Sequence, residues 1–169
     1  MASESHFIEF SKPFIDAAKN IYETMVFTKL DPQKPIMKKD TISKGDITAV
    51  LGLSGDVEKN GTKVQYRAML VLSFPYQTYF NMANTMLGET YTEYVPDIHD
   101  LGGEIVNMIM GNAKRDLKAL GYSSNMAIPS IIEGKGHSII YPAKTHVILI
   151  PLNSSIGEFY MEICYNEVL

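Results

Sequence analysis

The longest run of helical periodicity extends from about Asp97 to Leu120 and is stopped by Gly121. At roughly 100° per residue, Leu101, Ile105, Val106, Ile109, Met110, Ala113, Leu117 and Leu120 fall within about half the circumference. Glu104, Asn107, Gly111, Lys114, Arg115 and Lys118 fall together on the opposite side. Asn112 and Asp116 intrude on the apolar side, where buried polar groups would need partners. A first helix is predicted over Ser11–Phe27, with Ser11 as its cap and Pro13 in its first turn. Its apolar positions are Phe14, Ala17, Ala18, Ile21 and Met25. A third is predicted over Tyr76–Leu87, set between Pro75 and Gly88.

Alternation of period two marks the strands. In Lys63–Phe74, Val64, Tyr66, Ala68, Leu70 and Leu72 alternate with Gln65, Arg67, Met69, Val71 and Ser73. Extended segments are also predicted at Ile36–Ile42 and Ile47–Leu53, with turns at Ser54-Gly55-Asp56 and Lys59-Asn60-Gly61. Met126–Ile132, Thr145–Leu152 and Glu158–Tyr165 close the chain as three more strands. Strands that follow one another without intervening helices predict an α+β fold with a largely antiparallel sheet and about three helices. Each half reads helix then strands, the order that a degenerate internal duplication would leave. No long linker or low-complexity tract interrupts the pattern, which predicts one domain over residues 1–169.

Composition narrows the function classes. The 169 residues are 46% hydrophobic and 20% charged, the balance of a globular chain with a real core. A net charge of -4 with no block of Lys and Arg argues against nucleic acid. No run of about 18 apolar residues is present, so no membrane span is expected. The first ten residues lack a basic region followed by an apolar run, so the cytoplasm is the expected location. Cys164 is the single cysteine, in an alternating segment, and reads as a small buried apolar residue. His6, His99, His137 and His146 are scattered without metal-ligand spacing, so no metal site is expected. Gly134-Lys135-Gly136 precedes a strand-like stretch and reads as a turn, not a phosphate loop.

The solvated face of the long helix has an unusual make-up. Glu104 and Asn107, three apart, project as neighbours, and Gly111 lies one turn beyond the amide. A glycine inside a helix costs about 1 kcal/mol relative to alanine and often marks close approach by another group. Lys114, Arg115 and Lys118 follow. Periodicity alone fits equally an ordinary solvated face near a helix C-terminus, where cations are favoured.

The string Gly103-Glu-Ile-Val-Asn-Met-Ile-Met-Gly-Asn-Ala-Lys114 resembles the signature helix of the CheC/CheX/FliY family of chemotaxis phosphatases. Glu104 and Asn107 match that family's Glu-x-x-Asn active-site motif. The helix-first region and Ile128-Pro-Ser-Ile-Ile-Glu-Gly134 are also similar to the CheX branch. The first helix offers Asp16-Ala-Ala-Lys19 in place of a second motif, which favours CheX over CheC. The resemblance implies a phosphatase acting on the aspartyl phosphate of a CheY-like response regulator. It implies that Asn107 positions the attacking water and that Glu104 pairs with the receiver's lysine. Gly111 would give clearance, while Lys114, Arg115 and Lys118 would meet an acidic receiver surface. No cofactor of its own is implied, since Mg²⁺ travels on the receiver. A homodimer is implied. The alternative is a non-catalytic module of the same fold that binds a regulator or a flagellar switch component.

Overall fold

The computed structural model describes residues 2–143 and 145–168, the side chains of 2–6 aside. Its elements run α1 (Ala2–Met25), β1 (Asp31–Pro32), β2 (Ile36–Lys38), β3 (Ile47–Lys59), β4 (Thr62–Phe74) and α2 (Tyr76–Leu87). A 3₁₀ turn (Pro96–Ile98) leads into α3 (Leu101–Ala119), followed by β5 (Asn125–Met126), β6 (Ser130–Glu133), β7 (His146–Asn153) and β8 (Phe159–Val168). All strands join one antiparallel sheet in the order β1-β7-β8-β4-β3-β5, with β2 also on β7 and β6 also on β3. The fold is thus α+β with three α-helices, as the strand and helix periodicities predict.

One face of the sheet carries the helices. Ile47, Ala49, Leu51 and Leu53 of β3 line it, with Tyr66, Leu70, Leu72 and Phe74 of β4 and Phe159, Met161 and Ile163 of β8. Onto them pack Phe10, Phe14 and Ala17 of α1 and Ile105, Ile109 and Leu117 of α3, the two helices lying against each other. Phe10 is the hinge of this contact, its ring 4.7 Å from Tyr165, 5.3 Å from Tyr122 and 5.6 Å from Tyr66. Tyr22 and Phe74 both stack on Phe159. Apolar burial of this extent is the main stabilising contribution.

Several expected boundaries move, each for a visible reason. Helix α1 begins nine residues before Ser11, because Phe7 and Phe10 extend its buried stripe. Ser11 is no cap: it is buried within the helix and its Oγ donates to the Phe7 carbonyl at 2.7 Å. Pro13 accordingly lies inside the helix. Ser54-Gly55-Asp56 is not a turn, since β3 runs straight through it. A Cβ at Gly55 would lie 1.9 Å from the Ser123 carbonyl oxygen, so this glycine admits a neighbouring backbone. The hairpin turns instead at Asn60 and Gly61, with φ of 51° and 79°, the pair of positive values a tight two-residue turn requires.

The stretch predicted as one strand over Met126–Ile132 is broken into β5 and β6 by Ala127-Ile128-Pro129. Proline lacks a ladder donor, and the residue before it is sterically restricted. The segment predicted over Ile36–Ile42 pairs with β7 at Ile36–Lys38 and, past a break, makes a single antiparallel bridge from Ile42 to Ser138.

The other face of the sheet holds a smaller cluster of Met69, Val71, Ile139, Val147 and Cys164. Beside it Lys38 Nζ lies 3.1 Å from Glu162 Oε1 and 2.7 Å from Tyr141 Oη, with both charged side chains almost wholly buried. Tyr141 also donates to Glu162. Ser43, Thr48 and Ser73 form a buried hydroxyl triangle, and His137 Nε2 reaches Thr48 Oγ1 at 2.6 Å. Cys164 is buried, and desolvation, followed by the charge of Glu162, pushes its thiol up to about 12.

Candidate functional site

Helix α3 is held by groups far from it in sequence. Tyr79 of α2 is fully buried, and its hydroxyl donates to the Ile98 carbonyl at 2.5 Å while accepting from the Gly102 N–H at 2.9 Å. It thereby satisfies one of the orphan amides that every helix N-terminus leaves. Asp100, in the cap position, makes no side-chain bond of that kind. Burial raises the Tyr79 phenol well above its ordinary value, so it remains a donor.

Two glycines let this end of the helix come close to its neighbours. A Cβ at Gly102 would meet Tyr79 Cε2 at 3.4 Å and Ala49 Cβ at 3.6 Å. A Cβ at Gly103 would meet Ile131 Cδ1 and Pro129 Cβ, each at 3.5 Å. The first turn of α3 is therefore wedged between α2, β3 and the β5–β6 connection.

Glu104 projects from that wedge and is exposed. Asn107 is half-buried, and its Oδ1 is shielded from solvent without a hydrogen-bond partner. Buried side-chain acceptors are normally paired, so an orphan carbonyl on an otherwise open face calls for a ligand or a reason. Gly111 is exposed, and a Cβ there would meet nothing within 4 Å. Unlike Gly102 and Gly103, this glycine is not demanded by any contact among the described residues.

Lys114, Arg115 and Lys118 are exposed on the same side, as their positions in the helix predict. Arg115 Nε lies 3.8 Å from Asp116 Oδ1, a solvent-facing pair of small energetic weight. Asp116 is thus on the surface and not on the buried side, while Asn112 is half-buried at the rim of that side. Lys114 and Lys118 border an open cleft of about 440 Å³ with Asp56, Glu58, Lys63 and Tyr122. Lys114 is seven residues from Asn107, about 10 Å along the helix, so the cleft lies toward the far end of α3 from the amide. The six residues singled out in the sequence therefore share one face. Tyr79 and the Ala127–Pro129 loop escaped the sequence reading, because only tertiary packing brings them to α3.

This sheet, with two helices packed on one face and a Glu-x-x-Asn pair facing outward, has the architecture of the CheC- and CheX-type chemotaxis proteins. The family described as "Chemotaxis phosphatase CheX" matches residues 47–153. The chain belongs to that family. A chemotaxis protein CheX from Vibrio vulnificus is 34% identical, with a TM-score of 0.80 over 94% of this chain and 99% of its own. A CheC-like superfamily protein from Shewanella sp. PV-4 is 33% identical, with a TM-score of 0.81 over 94% of this chain and 98% of its own. At 20% identity, the CheX of a Borrelia burgdorferi CheX–CheY–BeF3–Mg²⁺ complex shares the fold, with a TM-score of 0.73 over 95% of this chain and 98% of its own. No curated protein matches the chain in sequence. Among the described residues no helix is long and apolar enough to cross a membrane.

Proposed function

We propose that this chain hydrolyses the aspartyl phosphate of a CheY-like response regulator, with Asn107 positioning the attacking water and Glu104 docking the helix. The observation that carries this reading is the state of Asn107. Its carbonyl oxygen is buried without a partner, on a helix face whose next turn is cleared of side chains by Gly111. Leaving an acceptor unpaired costs about 1–3 kcal/mol, and a water arriving with the substrate would relieve that cost. The family match and the CheY complex of the Borrelia relative support a receiver as the partner.

The chemistry asks little of the helper. The receiver brings its own Mg²⁺, lysine and hydroxyl residue, which neutralise charge on the phosphoryl oxygens. The missing part is a water held in line with the scissile bond. A carboxamide accepts a hydrogen bond from that water through Oδ1 and donates one from Nδ2 to a phosphoryl oxygen. Rotation about its broad terminal torsion presents either end. As the water oxygen bonds to phosphorus, the bond from phosphorus to the aspartyl oxygen breaks. The aspartate leaves as a carboxylate, and both protons of the water leave with inorganic phosphate.

Glu104, one turn earlier and exposed, would repel a phosphoryl group but suits the receiver's lysine, fixing the register of α3 over the pocket. Lys114, Arg115 and Lys118 would steer an acidic receiver surface, raising the association rate more at low salt than at high. The working form on this reading is a cytoplasmic homodimer with no cofactor of its own. The test is phosphate release from a phosphorylated CheY-like receiver. The chain should accelerate it, and Asn107→Ala should abolish the acceleration while binding survives. An Asn107→Ala variant of undiminished activity would remove Asn107 from the mechanism, and a wild-type chain that binds the receiver without accelerating phosphate release would leave the non-catalytic, regulator-binding alternative.

A further inference from the structure

The face of the sheet away from the helices is covered in part. Met69, Val71 and Val147 cluster there with Ile139, from the segment between β6 and β7. That segment is then fixed by Tyr141, which donates to Glu162 and accepts from Lys38 Nζ at 2.7 Å. Pro142 comes next and borders a trough of about 410 Å³, floored by Gly52, Ser54, Arg67 and Met69, with Ala127 on its far wall. The strand register brings these groups together. Ser54 stands opposite Arg67 and Gly52 opposite Met69, so all four share the face that the buried Leu53 and Ala68 turn away from. The far wall is held by backbone: Asn125 pairs with Ser54, and the Ala127 N–H donates to the Gly52 carbonyl at 3.0 Å. A Cβ at Gly52 would meet nothing nearer than Ala127 Cβ, at 3.7 Å. Packing therefore does not demand this glycine, and its missing side chain gives the trough depth.

Arg67 is the unusual residue of that floor. It lies in mid-strand, exposed, and is flanked across the two ladders by Ser54 and Asn166, neither of them charged. Among the described residues it makes no hydrogen bond or ion pair, although the chain as a whole carries a net charge of -4. We propose that the trough binds a small organic anion, its carboxylate held by Arg67 and its apolar body laid against Met69, Ala127 and Pro142. A guanidinium offers parallel N–H donors that match the two oxygens of a carboxylate. The trough's volume is that of small-molecule sites, and so is its lining, apolar walls with a few convergent polar groups. One unpaired cation with the uncharged Ser54 and Asn125 beside it suits a single negative charge. The site lies across the sheet from α3 and needs none of the chemistry proposed there.

Benzoate is the probe, followed through backbone amide shifts in NMR spectra, with benzamide as its uncharged counterpart. Benzoate should shift the amides of residues 52–54, 67–69 and 125–127 along a saturable curve. It should bind about tenfold more tightly than benzamide, the scale of one charge-assisted pairing. Arg67→Gln should erase that preference, and Arg67→Lys, which keeps the charge without the fork, should retain part of it. Gly52→Val fills the floor with a residue that strands favour and should abolish binding of both ligands. Equal affinity for benzoate and benzamide overturns the site, as do saturable shifts confined to other residues or none at millimolar benzoate. A fall in oligomeric mass of Arg67→Gln by light scattering also overturns it, by assigning this surface to a second copy of the chain.

Discussion

Asn107 and Gly111 sit one turn apart on the same face, and replacing either by alanine separates stability from work. Asn107 holds an unpartnered carbonyl oxygen, so its truncation removes no internal hydrogen bond of that atom. Asn107→Ala should leave the urea midpoint within experimental scatter or raise it slightly, while kcat falls about 100-fold or more, the scale of losing one positioned polar group. Gly111→Ala puts a methyl into open space and gains helix propensity, so unfolding should be harder by up to about 1 kcal/mol. If the gap exists for the receiver, the same variant should show a raised KM. A stabilised Gly111→Ala with wild-type kinetics would reduce Gly111 to an unoptimised surface residue. Cys164 shows the opposite case, a nucleophile removed from use: buried, with its thiol pushed up to about 12, it presents no thiolate at neutral pH.

At the scale of elements, the placement of α3 depends on a hydroxyl from α2. Tyr79→Phe keeps the ring but strands the Ile98 carbonyl and the Gly102 N–H, both inside the wedge. The expected cost is about 1–3 kcal/mol in urea unfolding. Because Glu104 and Asn107 ride on the first two turns of that helix, kcat should also fall, while Tyr79→Leu adds a cavity and should cost more. Periodicity predicted α3, its buried stripe and the residues of its outward face, because a 3.6-residue repeat is a local property. It could not reveal the Tyr79 cap, since no pattern joins Tyr79 to Gly102 across a separation of 23 positions. Ser54-Gly55-Asp56 looked like a turn for the same reason. The glycine serves the backbone of Ser123, a neighbour 68 residues away that composition does not announce. The tight turn at Asn60-Gly61 was legible because two adjacent positive φ values leave few other residue choices.

Across the whole molecule the elements repeat around the central β4–β8 ladder, where Leu70 faces Ile163. On one side α1 precedes β1, β2 and the β3–β4 hairpin; on the other α3 precedes β5, β6 and the β7–β8 hairpin. The short strands are exchanged, β1 and β2 joining β7 while β5 and β6 join β3. That arrangement lays α1 against α3 and leaves only α3 with a Glu-x-x-Asn face. It also concentrates phenols in the shared core: Tyr22, Tyr66, Tyr79, Tyr122 and Tyr165 are all buried. Desolvation raises each of them, Tyr122 to about 12. The unfolded chain ionises these tyrosines near pH 10. The folded chain keeps them protonated to higher pH, so above pH 10 the native state binds more protons than the unfolded state. Stability from these groups is therefore complete below about pH 10 and falls as pH rises through the shifted values. The slope approaches about 1.4 kcal/mol per pH unit for each phenol held neutral. Urea unfolding followed between pH 8 and pH 11 should show a plateau and then a steep decline, with phenolate absorbance appearing together with loss of structure. Replacing Tyr122, whose phenol is raised chiefly by burial, by phenylalanine should soften the decline. Ionisation of these five buried tyrosines near pH 10 in a chain still folded would show that their rings reach solvent and that the aromatic core is looser than the packing of Phe10 against Tyr66, Tyr122 and Tyr165 requires.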